Sequence, residues 1–150
     1  MPNELEIAPV SAAHYEELLP LIADYQRFYR AEPDTERNRA FFRRFLAPSE
    51  EGLLLGAWSE AGFRGYACLY WHFSSTTARE TVLMNDLFVT PEARGQGVGR
   101  ALIEASAAVG RERGAAVLDW STEPGNATAQ RLYDTTGAER SEWVSYEIEL

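Results

Sequence analysis

Leu5 and Ile7 alternate with polar or small neighbours and, with Val10, predict a short opening strand, with Ser11 placed as the cap of a following helix. Tyr15, Leu18, Leu19, Ile22 and Tyr25 then recur at helical spacing, and Phe28 and Tyr29 extend the stripe until Pro33 interrupts it. A second helix is expected over residues 35–46, carrying Phe41, Phe42 and Phe45. After a turn at 48–52, the apolar runs 53–58 and 63–73 predict an antiparallel hairpin with its tip at Glu60, Ala61 and Gly62. Six of the nine residues 81–89 are apolar, with Val82, Leu83, Met84, Leu87, Phe88 and Val89 nearly filling both faces, the pattern of a central strand. A loop containing Pro91 and Gly95 leads to a helix over 97–113, with Val98, Leu102, Ala105 and Val109 on one stripe and Gly114 as its stop. A strand at 115–120, a helix at 126–136 ended by Gly137, and an alternating last strand at 143–150 complete the pattern. No repeat or linker divides the chain, which reads as one domain over residues 1–150.

The length of 150 residues suits one core that buries roughly 70% of the unfolded surface. Hydrophobic residues make up 45% and charged residues 25%, a globular composition that argues against a disordered or fibrous chain. Cys68 is the single cysteine, so neither a disulfide framework nor a cysteine-rich zinc module can form. The N-terminus has no basic patch leading into an apolar run, and no stretch is apolar enough to span a bilayer, so a cytoplasmic setting away from membranes is expected. The net charge of −9 opposes non-specific binding to nucleic acid and fits a cationic substrate. All 14 basic residues are arginine, which excludes a lysine nucleophile or Schiff base.

The chemistry concentrates where the central strand runs into Arg94, Gly95, Gln96, Gly97, Val98, Gly99 and Arg100. Three glycines let the backbone approach a ligand closely, and the helix amino end adds positive potential, which together make a pyrophosphate cradle. Arg94 and Arg100 can supply charge. A phosphate-binding P-loop would need a lysine, and the dinucleotide fingerprint would need glycine where Arg100 stands, so neither nucleotide class fits.

This segment resembles the signature of the GCN5-related N-acetyltransferase (GNAT) family, which reads Arg or Gln, two residues, Gly, one residue, then Gly or Ala. The element order is similar over most of the chain. The resemblance implies an α/β (α+β) fold: a mixed, mostly antiparallel sheet of about six or seven strands flanked by about four helices. It implies acetyl-CoA as the acetyl donor, backbone contacts to it from Leu87, Phe88 and Val89, and amide contacts from Gly95 to Arg100. Asn126 would contact the coenzyme and Tyr133 would stand near its sulfur as general acid. Asn126 and Tyr133 are seven residues apart, so their side chains point the same way on a helix. A phenol, with a pKa near 10, can deliver a proton to a thiolate whose pKa is near 8.5; packing in the core is the alternative for Tyr133. Asn126 also opens a glycosylation sequon, read as coincidental without a secretory signal.

A narrower similarity, to the diamine and polyamine acetyltransferases and their histone-acetyltransferase-like bacterial relatives, rests on residues 85–89, residues 131–133 and the aromatic end at Trp143 and Tyr146. Diamine enzymes commonly carry Glu-Asp where this chain has Asn85 and Asp86, so only the second acid is kept. An acceptor amine must lose a proton before it attacks the thioester. Asp86 is the candidate base, through water, with a structural acid as the alternative; alternation puts it on one face with Met84 and Phe88, opposite Asn85. Tyr25, Tyr29 and Trp71, with Phe28 and Phe73, are candidates for the acceptor pocket or for core packing, Asn85 is a candidate for the acceptor pocket, and Glu32 and Asp34 are candidates for an acidic mouth or are simply solvated. His14 and His72 lack a second ligand at metal-binding spacing. A buried Cys68 favours direct transfer over an acyl-cysteine intermediate. The expectation is an acetyl-CoA-dependent N-acetyltransferase acting on a small amine as a homodimer, with a protein-modifying acetyltransferase or a non-catalytic acyl-CoA sensor as alternatives.

Overall fold

The computed structural model describes residues 4–150; residues 1–3, the first part of the N-terminal stretch read for a leader, lie outside the described residues. Five strands form one sheet in the order β1 (Glu6–Pro9), β2 (Gly52–Ser59), β3 (Gly62–Ser74), β4 (Arg79–Val89) and β5 (Leu118–Asp119). The first four are antiparallel neighbours, and the β2–β3 hairpin turns at Glu60 and Ala61 and re-enters the sheet at Gly62, whose φ of 99° only glycine adopts readily. β5 runs parallel to β4 because a helix, α3 (Val98–Glu112), crosses over between them.

Helices cover both faces. α1 (Tyr15–Phe28) and α2 (Thr35–Phe42) pack with Leu54, Tyr66, Cys68 and Phe88 on one side of the sheet. On the other, Val98, Leu102 and Ile103 of α3 meet Leu55, Ala67, Leu69, Val82 and Met84. α4 (Ala127–Asp134) adds Leu132 and Tyr133 to the α3 side. Among the described residues no helix is long and apolar enough to cross a membrane.

Four expectations are corrected. Ser11 does not cap α1 with its side chain; the N-cap is His14, whose N–H donates to the Ser11 carbonyl at 3.1 Å. The second helix stops at Phe42 and tightens into a single 3-10 turn, Arg43–Phe45. The strand expected over 115–120 narrows to two residues, and residues 143–150 form none, so the sheet has five strands rather than six or seven. Alternation supplies a strand's pattern, but pairing forms it, and residues 143–150 pair with no described strand: Trp143 and Tyr146 are both 93% exposed.

The fourth correction reaches the site. Cys68 pairs with Asp86 but Leu69 pairs with Met84, so Asn85 is an extra residue, a β-bulge, in β4. The bulge switches the alternation, and Met84 packs on the α3 side while Asp86 and Phe88 face the α1 side. Asp86 therefore does not share a face with Met84.

Candidate active site

β4 ends at Val89, and a short 3-10 turn, Pro91–Ala93, anchored by the fully buried Ala93, carries the chain into the glycine loop. Gly95 and Gly97 have φ of 77° and 85°, and a Cβ at either would meet nothing within 4 Å. Their need for glycine is thus conformational, and the space above them is open. Gly97 is also the N-cap of α3, and no side chain caps that helix, whereas Asp34 caps α2 and Asn126 caps α4. The first-turn amides of α3 are left to an external acceptor. Gly99 serves packing: a Cβ there would stand 3.0 Å from Leu132 Cδ2, so glycine lets α4 close onto α3. Val98 is buried and fixes the helix start.

The neighbouring side chains are partly engaged. Arg94 Nε donates to the Val89 carbonyl at 3.2 Å and Gln96 Nε2 to the Glu92 carbonyl at 3.1 Å, which stiffens the loop. Arg100 donates to the Thr135 carbonyl at 3.3 Å and to Thr135 Oγ1, tying α3 to the end of α4. Each guanidinium keeps further N–H donors.

Beside the cradle the sheet splits. β5 accompanies β4 only at Val82–Leu118 and Leu83–Asp119, and from the Asn85 bulge onward, through Leu87, Phe88 and Val89, no described strand pairs with that edge of β4. Two hydroxyls that sequence reasoning missed flank the split: Thr90 Oγ1, just past β4, and Thr122 Oγ1, beyond β5, are buried without a hydrogen-bond partner. Orphaned donors, an uncapped helix end and an open glycine loop together fit a ligand that carries both an anion and hydrogen-bonding groups, as coenzyme A does.

Phenols converge on this split. Tyr25 and Tyr29, from the end of α1, have ring centroids 5.0 Å apart, and Tyr25 donates to the Asn85 carbonyl at 3.1 Å, across the bulge. Tyr133, from α4, is held by an edge contact with Trp120 at 5.5 Å. Burial raises the Tyr133 phenol above its ordinary pKa, and the nearby Tyr29 raises it further, so it keeps its proton at neutral pH. Asn126, at the start of the same helix, accepts from the Ala129 amide through Oδ1 at 3.1 Å, which leaves its Nδ2 as a free-facing donor type.

Asp86 lies under the bulge, 2% exposed. Burial pushes its carboxyl up to about 6, against the opposing effect of two donors: Asn85 Nδ2 at 2.7 Å and the Tyr66 hydroxyl at 3.1 Å. The sequence gives no direct sign of Tyr66, although a carboxylate amid apolar residues demands a partner and β3 is the strand that supplies it. Cys68, adjacent and buried, has its thiol pushed well up, mainly by burial and then by Asp86, so it is no nucleophile at neutral pH.

Trp71 does not join this group. It lies on the α3 side, its Nε1 donating to the Ser49 carbonyl at 3.4 Å and its ring stacked 3.8 Å beneath the Arg113 guanidinium, at the end of α3 remote from the glycine loop. Phe73 is 79% exposed near the turn between β3 and β4, and Phe28 is also exposed. Glu32 stands in the exposed loop after α1, while Asp34 is occupied as the α2 cap through the Arg37 amide at 3.0 Å. A pair between Arg30 and Glu123, at 3.1 Å, bridges that loop to the one preceding α4.

Residues 18–138 match the acetyltransferase (GNAT) family. An uncharacterized N-acetyltransferase, YhfO, of Bacillus subtilis (strain 168) is 35% identical over 122 residues, 81% of each chain. The D-amino-acid N-acetyltransferase HPA3 of Saccharomyces cerevisiae is 35% identical over 125 residues, 82% of this chain and 77% of that one. A crystal structure of a probable acetyltransferase superposes with a TM-score of 0.85 at 28% identity, covering 97% of both chains. The chain belongs to the GNAT acetyltransferase family, N-acetyltransferases that take their acetyl group from acetyl-CoA.

Proposed function

We propose that this chain transfers acetyl from acetyl-CoA to the primary amine of a small cationic molecule, directly and within a ternary complex. The observation that carries this reading is the buried Tyr133 phenol, near Tyr29 and Tyr25, in a chain whose β4 parts from β5 just ahead of an uncapped helix end. The match to a D-amino-acid N-acetyltransferase supports a small amine as acceptor.

When bound, acetyl-CoA supplies a thioester whose carbonyl an amine can attack. Amides from Gly95 to Arg100, with Gln96 and Val98 between them, hold the pyrophosphate, and Arg94 and Arg100 add charge. The backbone of Leu87, Phe88 and Val89 would pair with the pantetheine arm, and Asn126 would donate to it. Tyr133 Oη holds a proton for the sulfur that leaves. Asp86, ionised above about pH 6, takes the amine's proton through water. Tyr25, Tyr29 and Asn85 flank the acceptor, where phenol rings favour a cation, and Glu32 adds to the negative field of a chain with net charge −9. The burial of Cys68 supports transfer without a covalent enzyme intermediate. The free thiol of Cys68 also fits a reducing, cytoplasmic setting, and the open edge of β5 supports a homodimer.

The test is acetyl-CoA-dependent thiol release against diamines, polyamines, amino acids, aminoglycosides and basic peptides. Release with small cationic amines is expected. Release with basic peptides alone would overturn the acceptor class, and tight acetyl-CoA binding with no release across the panel would overturn turnover.

A further inference from the structure

α1 stops on a residue where glycine would be expected. The Arg30 N–H donates to the Arg27 carbonyl at 2.9 Å and the Ala31 N–H to the Gln26 carbonyl at 2.8 Å, with Arg30 itself at φ 63°. α3 ends in the same way, through the Gly114 N–H to the Arg111 carbonyl at 3.0 Å and the Ala115 N–H to the Gly110 carbonyl at 2.9 Å, and there the left-handed position belongs to glycine. A side chain at that position carries strain that glycine avoids. Strain held at one residue points to a task for its side chain.

The Arg30 guanidinium crosses to Glu123, Nη2 to Oε1 at 3.1 Å, on the loop between β5 and α4. Glu123 is fixed through its backbone: its carbonyl accepts from the Asn126 N–H at 3.0 Å and from Gln130 Nε2 at 3.2 Å, at the start of the helix that carries Tyr133. Arg30 in turn follows Tyr29, whose phenol is raised by burial and then by the negative charges of Glu123 and Asp86. Glu123 therefore acts on the same phenol as the candidate base, and Arg30 is the one cation paired with it among the described residues.

The pair is a poor clamp. Its side chains are 78% and 48% exposed, and an ion pair that water can reach adds little to stability. It is a good placeholder, because another cation can take the carboxylate while Arg30 swings into solvent. That cation cannot be the amine that reacts, which must be uncharged to attack the thioester. It is then a second positive group on the same acceptor.

We propose that Glu123 recognises a second positive group on the acceptor, apart from the amine that is acetylated, and that Arg30 holds this subsite until the acceptor displaces it. This deepens the acetyl-transfer reading above and rests on it. Acceptors with one amine and no second charge leave the Arg30 bridge closed, so the exchange selects for dications.

The test is steady-state kinetics with acceptors matched in length but differing in the second charge, α,ω-diaminoalkanes against aminoalkanes and lysine against norleucine, on the wild-type chain, Glu123→Gln and Arg30→Gly. Glycine relieves the φ of 63°, so Arg30→Gly should unfold at no lower temperature than wild type. Wild type should show a KM for the doubly charged acceptor at least tenfold below that of its match. Glu123→Gln should raise that KM at least tenfold, with kcat and the KM of the singly charged match within twofold, while Arg30→Gly should lower it several-fold by removing the competitor. Opposite signs mark a subsite, since breaking a clamp from either end would shift both variants the same way for both acceptors; such a shared shift would overturn the inference. Equal KM values for matched acceptors in wild type would also overturn it and leave acetyl transfer to a small amine standing. No amine-dependent release with these acceptors or the panel above would overturn the acetyl-transfer reading, and the inference with it.

Discussion

The Tyr66 hydroxyl donates to Asp86 Oδ2 at 3.1 Å in the interior beneath the β4 bulge, where Tyr66 is fully buried and Asp86 2% exposed. That bond, with the one from Asn85, is what allows a carboxyl to sit between the sheet and α1, and the remaining cost of burial shows in its pKa of about 6.

The raised pKa makes a prediction with a definite sign. Between the ordinary value of 3.8 and about 6 the folded chain binds a proton at Asp86 that the unfolded chain has lost. Asp86 thus favours folding at low pH, and stability is lost as pH rises through this window. The penalty is complete above about pH 6 and amounts to at most about 3 kcal/mol at 1.36 kcal/mol per pKa unit. Urea denaturation should find Asp86→Asn gaining stability relative to wild type between pH 4 and pH 7. A constant difference over that range would remove the assignment. If Asp86 also accepts the amine's proton, wild-type kcat/KM for the amine should fall below about pH 6 and the variant should lose that limb.

Gly97→Val tests the cradle. A Cβ at this position meets nothing within 4 Å, and the residue must adopt φ near 85°, which costs about 1–2 kcal/mol, so the chain should stay folded. Acetyl-CoA affinity should drop at least tenfold by calorimetry, because the side chain enters the space above the α3 amides. Affinity within twofold of wild type would contradict a pyrophosphate site there.

Tyr25→Phe removes the bond to the Asn85 carbonyl, whose net worth is about 1 kcal/mol. The bulge would loosen on the acceptor side only. Steady-state kinetics should show a several-fold rise in KM for the amine with acetyl-CoA affinity unchanged, and a rise in acetyl-CoA Kd instead would place Tyr25 on the coenzyme side.

The glycine loop was legible in the sequence because everything that builds it is local: a strand, glycines that take positive φ, and a helix start within a dozen residues. The β2–β3 hairpin was legible for the same reason, through Gly62. The bulge was not, since Asn85 becomes an extra residue only against the register of β3, and uninterrupted alternation therefore put Asp86 with Met84. Tyr66 went unassigned because its role is defined by a residue 20 positions away. Trp71 stayed open between the pocket and the core because its aromatic character does not say which face of β3 it occupies. The strand expected over 143–150 failed because alternation is a local pattern while a strand also needs a pairing partner, and no described strand pairs with that segment.

The most direct measurement is Tyr133→Phe, with turnover and acetyl-CoA affinity measured on the same preparation. Removing the one hydroxyl leaves the Trp120 contact and the packing of α4 in place. Turnover with the amine should fall about 10²–10⁴-fold, the range for a lost general acid, while acetyl-CoA Kd stays within twofold. Wild-type turnover across the pH range would contradict Tyr133 as the proton donor.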